Sequence, residues 1–291
     1  MPQPNEHASP APGYEILIEP SRGFLRMNWR ELWEYRDLLL ILVRRDFLAK
    51  YKQTMLGPLW FILQPLLSAV VMSIAFHKVA GISTGSIPSL LFNLCALLPW
   101  AYFSQNVTTG AATFTANSHL FGKVYFPRLI VPIATVVSNL FALVLQLVVF
   151  FIFYGWFAAK GAPVHMGAGA LLLLPLIAIT AILSLGLSLL ISASTAKFRD
   201  LSHLTPVLLQ LWMFASPVFY PMDLLTKNAS WSWLAWANPM ASVVEHTRTV
   251  LLGQGAWQPA MLVLSAAISL IVLLAGTIAF NHAERTVVDS I

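Results

Sequence analysis

A chain of 291 residues that is 58% hydrophobic and only 10% charged stands far from the roughly 25% charge of soluble domains, which excludes a water-soluble fold. Its net charge of +5 is not the footprint of a nucleic-acid module, because eight of the 17 Lys/Arg lie between Arg22 and Lys52, directly ahead of the first long apolar segment. The single cysteine, Cys95, leaves no internal disulfide and no Cys-rich metal site.

The first 27 residues hold five prolines among scattered polar groups, without a basic start followed by an apolar core. They read as a flexible cytoplasmic tail, not a cleaved signal peptide. From residue 28 to 57 the pattern changes. Trp29, Trp33, Leu40, Val43, Phe47 and Tyr51 recur at steps of three, four and seven, which places them on one helical face. Arg30 and Glu34, and Asp46 and Lys50, stand one turn apart elsewhere on the surface. This segment is expected to be an amphipathic helix in the cytoplasmic interface, and Gly57-Pro58 to break it and turn the chain into the bilayer.

Residues 58–291 then carry six segments near the roughly 20 residues that span a bilayer: about 59–80, 90–112, 128–157, 170–195, 202–224 and 258–281. With the N-terminus inside, thirteen Lys/Arg fall in cytoplasmic segments and only Lys78, Lys160, Lys227 and Arg248 fall outside, which satisfies the positive-inside rule. The expected fold is an all-α integral membrane protein of six transmembrane helices with both termini cytoplasmic. Between spans five and six, residues 228–256 hold Trp231, Trp233, Trp236 and the helix-breaking Asn238-Pro239. They read as a re-entrant helix pair dipping into the outer leaflet.

What the spans lack narrows the function. No Asp, Glu, Lys or Arg lies in the interior of any span, whereas ion-coupled carriers keep such groups near the midplane. No GxxxxGK[ST] loop is present to cradle ATP, and no nucleophile, base and orienting acid cluster. Neither a catalytic residue nor a metal ligand is therefore assigned. The chain reads as a conduit powered by another polypeptide. Its spans do hold aromatics and neutral amides: Trp60, Phe61 and Gln64 in span one, Trp100 and Tyr102 in span two, and Gln210, Trp212, Phe214, Phe219 and Tyr220 in span five. Sugar C–H faces stack on rings and hydroxyls bond to amides, so these residues are the candidate path of a glycan.

Four stretches carry a family resemblance. "RRDFLAKYKQTMLGPLWFILQPL" (44–66), "NSHLFGKVYFPRLIVP" (117–132), "FRDLSHLTPVLLQLWMFASPVFYP" (198–221) and "NPMASVVEHTRTVLLG" (238–253) occur in this order. Together they resemble the signature segments of ABC-2 type permeases that export polysaccharides and polyol phosphates. The resemblance implies the transmembrane subunit of an exporter in the inner membrane. Two copies would pair with two copies of a cytoplasmic ATPase, which holds the ATP and Mg, and move an undecaprenyl-diphosphate-linked glycan outward. O-antigen is favoured over capsule or teichoic acid.

It further implies a coupling helix at about 113–126, with Asn117, His119, Leu120, Phe121, Lys123 and Tyr125 facing the ATPase. Lys197, Arg199 and Asp200 form a second contact. Arg44, Arg45, Lys50, Tyr51, Lys52, Gly57 and Pro58 belong to a gate helix. Phe121 and Tyr125, four residues apart, are expected to fill an apolar cleft of the partner. The alternatives are a drug or lipid exporter, or a membrane-embedded glycolipid-modifying enzyme, for which Glu245-His246 is the sole candidate pair. Glu245 and Arg248 are spaced to pair on one helical turn, which favours a structural role.

Overall fold

Peptide groups at membrane depth must find hydrogen-bond partners within the chain, so apolar runs of this length fold as helices. The computed structural model describes residues 33–51, 57–121, 126–166, 168–198, 200–227, 229–255 and 257–288, and no strand occurs among them. The tail 1–27, Trp29, Arg30, Lys52, Lys123, Tyr125 and Arg199 lie outside the described residues, as do the side chains of Lys50, Tyr51, Pro58, Phe61 and His119.

The interfacial segment forms α1 (Arg36–Tyr51). Its expected single stripe divides in two. Tyr35, Leu38, Leu39, Leu42 and Val43 pack toward Phe126, Ile130, Val131 and Ala134, and Phe47 meets Phe141 edge-on at 4.6 Å. Trp33 and Leu40 instead stay exposed, together with Ile41. The helix is apolar on one side toward the bundle and on another away from it, and periodicity alone merged the two. Asp46 pairs with its neighbour Arg45 at 2.8 Å.

Gly57 has a φ of +49°, a left-handed conformation that suits glycine and interrupts a helix. Beyond it, α2 (Trp60–Met72) runs on into a π-helical stretch, Ser73–Val79. α3 (Ser89–Ala111) leads to two single turns, α4 (Thr113–Ala116) and α5 (Ser118–Phe121). Three helices follow, α6 (Ile130–Ala159), α7 (Leu173–Lys197) and α8 (Leu201–Ala215). The chain ends with α9 (Asp223–Thr226), α10 (Ala229–Ala237), α11 (Pro239–Leu252) and α12 (Pro259–Val288).

Among the described residues, four stretches are long and apolar enough to cross a membrane: Ile62–Val79, Ile130–Ala159, Gly169–Lys197 and Pro259–Glu284. α3 has the length, 23 residues, but Asn93, Gln105 and Asn106 dilute its apolarity. The helix expected over 202–224 stops at Ala215. Ser216 turns extended, with ψ of 142°, and Pro217 and Pro221 cannot donate the bonds that would continue the helix.

α7 sits at the centre, packed most extensively on α12 and α3. Small residues permit this. A β-carbon added at Gly186 would lie 2.5 Å from the Leu273 backbone nitrogen, and one at Gly110 would lie 2.5 Å from Ser188 Cβ. Lipid tails give helices no hydrophobic reason to associate, so close backbone approach and buried hydrogen bonds hold them together. Asn106 Nδ2 donates to Ser184 Oγ at 3.0 Å, and Asn139 Nδ2 donates to Asn106 Oδ1 at 2.8 Å. Thr195 Oγ1 donates to the Ala111 carbonyl at 2.8 Å, and Tyr102 OH to that of Val136 at 3.1 Å. These bonds tie α3 to α6 and α7.

Contacts also define the bundle's two ends. Arg45 bonds Asn117 at 3.4 Å and Arg128 pairs with Glu284 at 3.6 Å, so residues 45, 117, 128 and 284 share one end. Gln254 bonds Ser86 at 2.9 Å, and Gly253 lies against the His165 carbonyl, so the loops before α3, after α6 and after α11 share the other.

The Gly186 crossing is a direct test of this packing. Gly186→Leu must drive a side chain into the α12 backbone, and overpacking of this kind costs about 3 kcal/mol. Gly155→Leu adds a side chain where nothing lies within 4 Å and is expected to be neutral. Thermal unfolding in detergent compares the two; equal midpoints would refute the close crossing.

Candidate functional site

Three places hold the residues singled out from the sequence. The first is the break after α8. Ser216, Pro217, Val218 and Phe219 are buried, and the polar groups around this break find partners on α11. The Asn238 side chain receives the indole N–H of Trp212 at 2.9 Å and donates to Ser216 Oγ at 2.8 Å and the Ala215 carbonyl at 3.2 Å. Its oxygen also caps α11 by accepting from Met240 N at 3.1 Å, with Pro239 at the first turn, where its missing donor costs nothing. Three turns later Arg248, only 2% exposed, donates to the Val218 carbonyl at 2.6 Å and to that of Tyr220 at 3.4 Å. Its guanidinium lies 3.7 Å from the Phe92 ring centre and 3.7 Å from Glu245 Oε2, the expected pair.

These partners engage the Glu245-His246 pair on which the enzymatic alternative rests. Glu245 serves Arg248. His246 is 1% exposed and both of its ring nitrogens are engaged. Nδ1 donates to the Ser242 carbonyl at 2.7 Å, and Nε2 accepts from Gln258 N at 3.2 Å. Neither nitrogen is available as a catalytic base. Among the described residues, no three of His, Cys, Asp and Glu come together to hold a metal.

The second place is the pair α2 and α8, which both lean on α3; past their ends, Phe76 in the π-helical stretch after α2 stacks on Phe219 in the break after α8 at 5.9 Å. Of the candidate path residues, Trp60, Gln64, Gln210 and Phe214 are exposed. Trp100, Tyr102 and Phe219 are not; each is at most 5% exposed and belongs to the core of this chain. Trp212 is half-buried, held by Asn238 and edge-on to Phe103 at 5.2 Å. Tyr220 OH donates back to the Phe214 carbonyl at 2.8 Å. On α2 and the π-helical stretch after it, the exposed residues Trp60, Gln64, Leu67, Val71 and Ile74 form one stripe. On α8 only Thr205 and Leu209 are buried.

The third place is the loop between α3 and α6. Phe121, expected to project into a partner, packs within this chain. It contacts Phe114 at 6.0 Å and Phe126 at 5.9 Å, and the Arg128 guanidinium lies 5.1 Å from its ring centre. Its apolar neighbours here offered a nearer place to bury the ring. Asn117 and Leu120 are half-buried beside it, and the Asn117 side chain donates to the Thr113 carbonyl at 3.1 Å. Lys197 and Asp200 remain exposed, with Lys197 5.3 Å from the Phe198 ring. Arg44 is exposed on α1.

The clasp at Asn238 and Arg248 was missed as a site because Arg248 was counted as an outer-loop charge. A lone arginine inside an otherwise apolar helical segment, with a glutamate three residues before it, was the available signal. Asn106 and Asn139 carried no sequence signal beyond their polarity.

Residues 37–252 match the model of the ABC-2 type transporter family. The chain is 31% identical over 263 residues to the O-antigen export system permease protein RfbA of Myxococcus xanthus, covering 90% of this chain and 98% of that one. It is 29% identical to the RfbA protein of Klebsiella pneumoniae, over 74% of this chain and 80% of the relative. The polysialic acid transport protein KpsM of Escherichia coli is 25% identical, over 84% and 93%.

Replacing Arg248 with Met would leave Glu245 without its counter-charge and the Val218 carbonyl without its donor. Breaking a buried pair from one side costs about 3 kcal/mol, so Arg248→Met is expected to unfold in detergent well before wild type. Arg248→Lys, which keeps the charge but loses the fork, should fall between them. A Met variant as stable as wild type would show that the clasp contributes nothing.

Proposed function

The chain belongs to the family of ABC-2 type transporters, and from that premise we propose that it is the permease subunit of an ATP-driven exporter of a lipid-linked polysaccharide. The glycan is O-antigen carried on undecaprenyl diphosphate. Higher identity to the relatives named for O-antigen export than to the one named for polysialic acid transport supports that branch over a capsule. Six helices, α2, α3, α6, α7, α8 and α12, cross the inner membrane with both termini in the cytoplasm. α10 and α11 form the re-entrant pair at the outer face. The working unit is two copies of this chain with two copies of an ATPase subunit. ATP and Mg bind to that subunit, and the 113–126 segment contacts it together with Lys197, Arg199 and Asp200. α1 is the gate helix.

One observation carries the reading. Gln64 on α2 stands exposed between Trp60 and Leu67, and Gln210 on α8 stands exposed between Val207 and Phe214. An amide facing hydrocarbon without a partner is strongly disfavoured, so these faces are completed by something with hydroxyls or amides of its own. A second copy of the chain across a glycan path supplies both, and Trp60 and Phe214 beside the amides offer rings for sugar faces.

Alone, the purified chain is expected to hydrolyse no ATP, since it has no phosphate-binding loop; turnover should appear only with an ATPase subunit. In that complex, Gln64→Leu with Gln210→Leu is expected to lower export about fivefold, the equivalent of roughly one net hydrogen bond, without loss of thermal stability. Unchanged export combined with raised stability would place both amides against lipid and remove the main support for the path.

A further inference from the structure

The turns between α3 and α6 do not stand free of the rest of the bundle. Phe114 of α4 stacks on Phe280 of α12, with ring centres 4.5 Å apart and planes 22° from parallel. Phe280 is fully buried. Phe121 rests on Phe114, and the Arg128 guanidinium covers Phe121 from the α6 side. Arg128 also reaches α12: its Nε lies 3.6 Å from Glu284 Oε1, and its Nη1 donates to the Glu284 carbonyl at 3.5 Å. The Arg128 side chain is 11% exposed and that of Glu284 31%, so the pair is sheltered from full solvent screening. α12 cannot slide alone either, because the backbones of Gly186 and Leu273 are too close for even one added carbon.

We propose that Arg128 and Glu284 are positioning residues that, with Phe114 and Phe121, fasten the turns α4 and α5 and the start of α6 to the end of α12, so that a displacement of these turns moves α12 and α7 along with α3 and α6. The inference rests on reading the segment as the ATPase contact. Joined only through its covalent neighbours, the segment could bend at Ala112 and Asn117, both non-helical, and dissipate a push locally. A stacked aromatic pair and a sheltered ion pair transmit it sideways instead, since close-packed interiors yield little under load. The segment's displacement then reaches α7, whose buried contacts lie at the centre of the bundle.

The test uses the complex with its ATPase subunit and reads glycan export and ATP turnover together. Arg128→Glu and Glu284→Arg are each expected to lower export about tenfold, within the range of ordinary coupling free energies, while ATP turnover persists. The double swap should restore most of the export. Single variants that export like wild type, or a double swap no better than either single, would overturn the proposal. A second measurement covers variants that do not accumulate. In a Cys95→Ala background, Phe114→Cys and Phe280→Cys are joined by a short reducible bis-thiosulfonate linker. If segment and helix move as one body, linking raises export toward the Cys95→Ala level, because the linker takes over from the lost rings. Export that stops on linking and returns on reduction overturns the proposal. A wild-type complex in which ATP drives no export at all refutes the transporter reading instead.

Discussion

No water reaches a peptide group inside hydrocarbon, so a helix that breaks at that depth needs partners supplied by side chains. The stretch Ser216–Met222, with Ser216 to Phe219 buried inside the bundle, makes the same demand. Two prolines make the break, and Asn238 and Arg248 complete its hydrogen bonds from a different helix. The position of α11 follows from this. Its N-terminus is fixed where Asn238 meets the end of α8, and its third turn is fixed where Arg248 reaches Val218. Ser265 then secures the start of α11 to α12 through the Pro239 carbonyl at 3.0 Å. α11 is held in place by what the break after α8 requires.

The rest of the bundle solves the same problem with fewer charges. Along α7, Thr180, Ser184, Ser188, Ser192 and Thr195 are buried, and most return their hydroxyls to a carbonyl one turn back. Such residues are small enough for α3 and α12 to approach and need no water. The Asn139–Asn106–Ser184 chain adds direction to that packing. An amide satisfied by one partner geometry penalises any rotation of α6 against α3, which apolar side chains alone would tolerate.

The helical class, the apolar lengths of α2, α6, α7 and α12, the breaks at Gly57 and Asn238-Pro239 and the Glu245–Arg248 pair were all legible in the sequence. Each depends on local spacing or on the chemistry of one or two residues. The misreadings share a different cause. Trp100, Tyr102 and Phe219 have the composition of a sugar platform, but which side of a helix faces its neighbours is decided by partners distant in sequence, and here those partners bury the rings. Phe121 was assigned to another polypeptide for the same reason: Phe280, which buries its neighbour Phe114 at the same corner, lies more than 150 residues away. On α1, two apolar sides were read as one because period alone cannot tell a protein-facing side from a lipid-facing one.

The two ends of the bundle are built to different tolerances. At the α11 end the clasp uses a fully buried guanidinium aimed at fixed carbonyls, and displacing it exposes several polar groups to an environment that cannot satisfy them. At the Arg128 end a sheltered ion pair and a ring stack hold the segment and α12 to one another, while the Glu284 carboxylate stays partly exposed, so the two can be displaced together. A bundle locked in place at one end and displaced as a joined unit at the other has a natural place to receive displacement and a natural place to resist it. α2 and α8, which bury few residues in this chain, connect the two. They are loosely restrained by their own polypeptide, and so a neighbouring molecule can readily set their position.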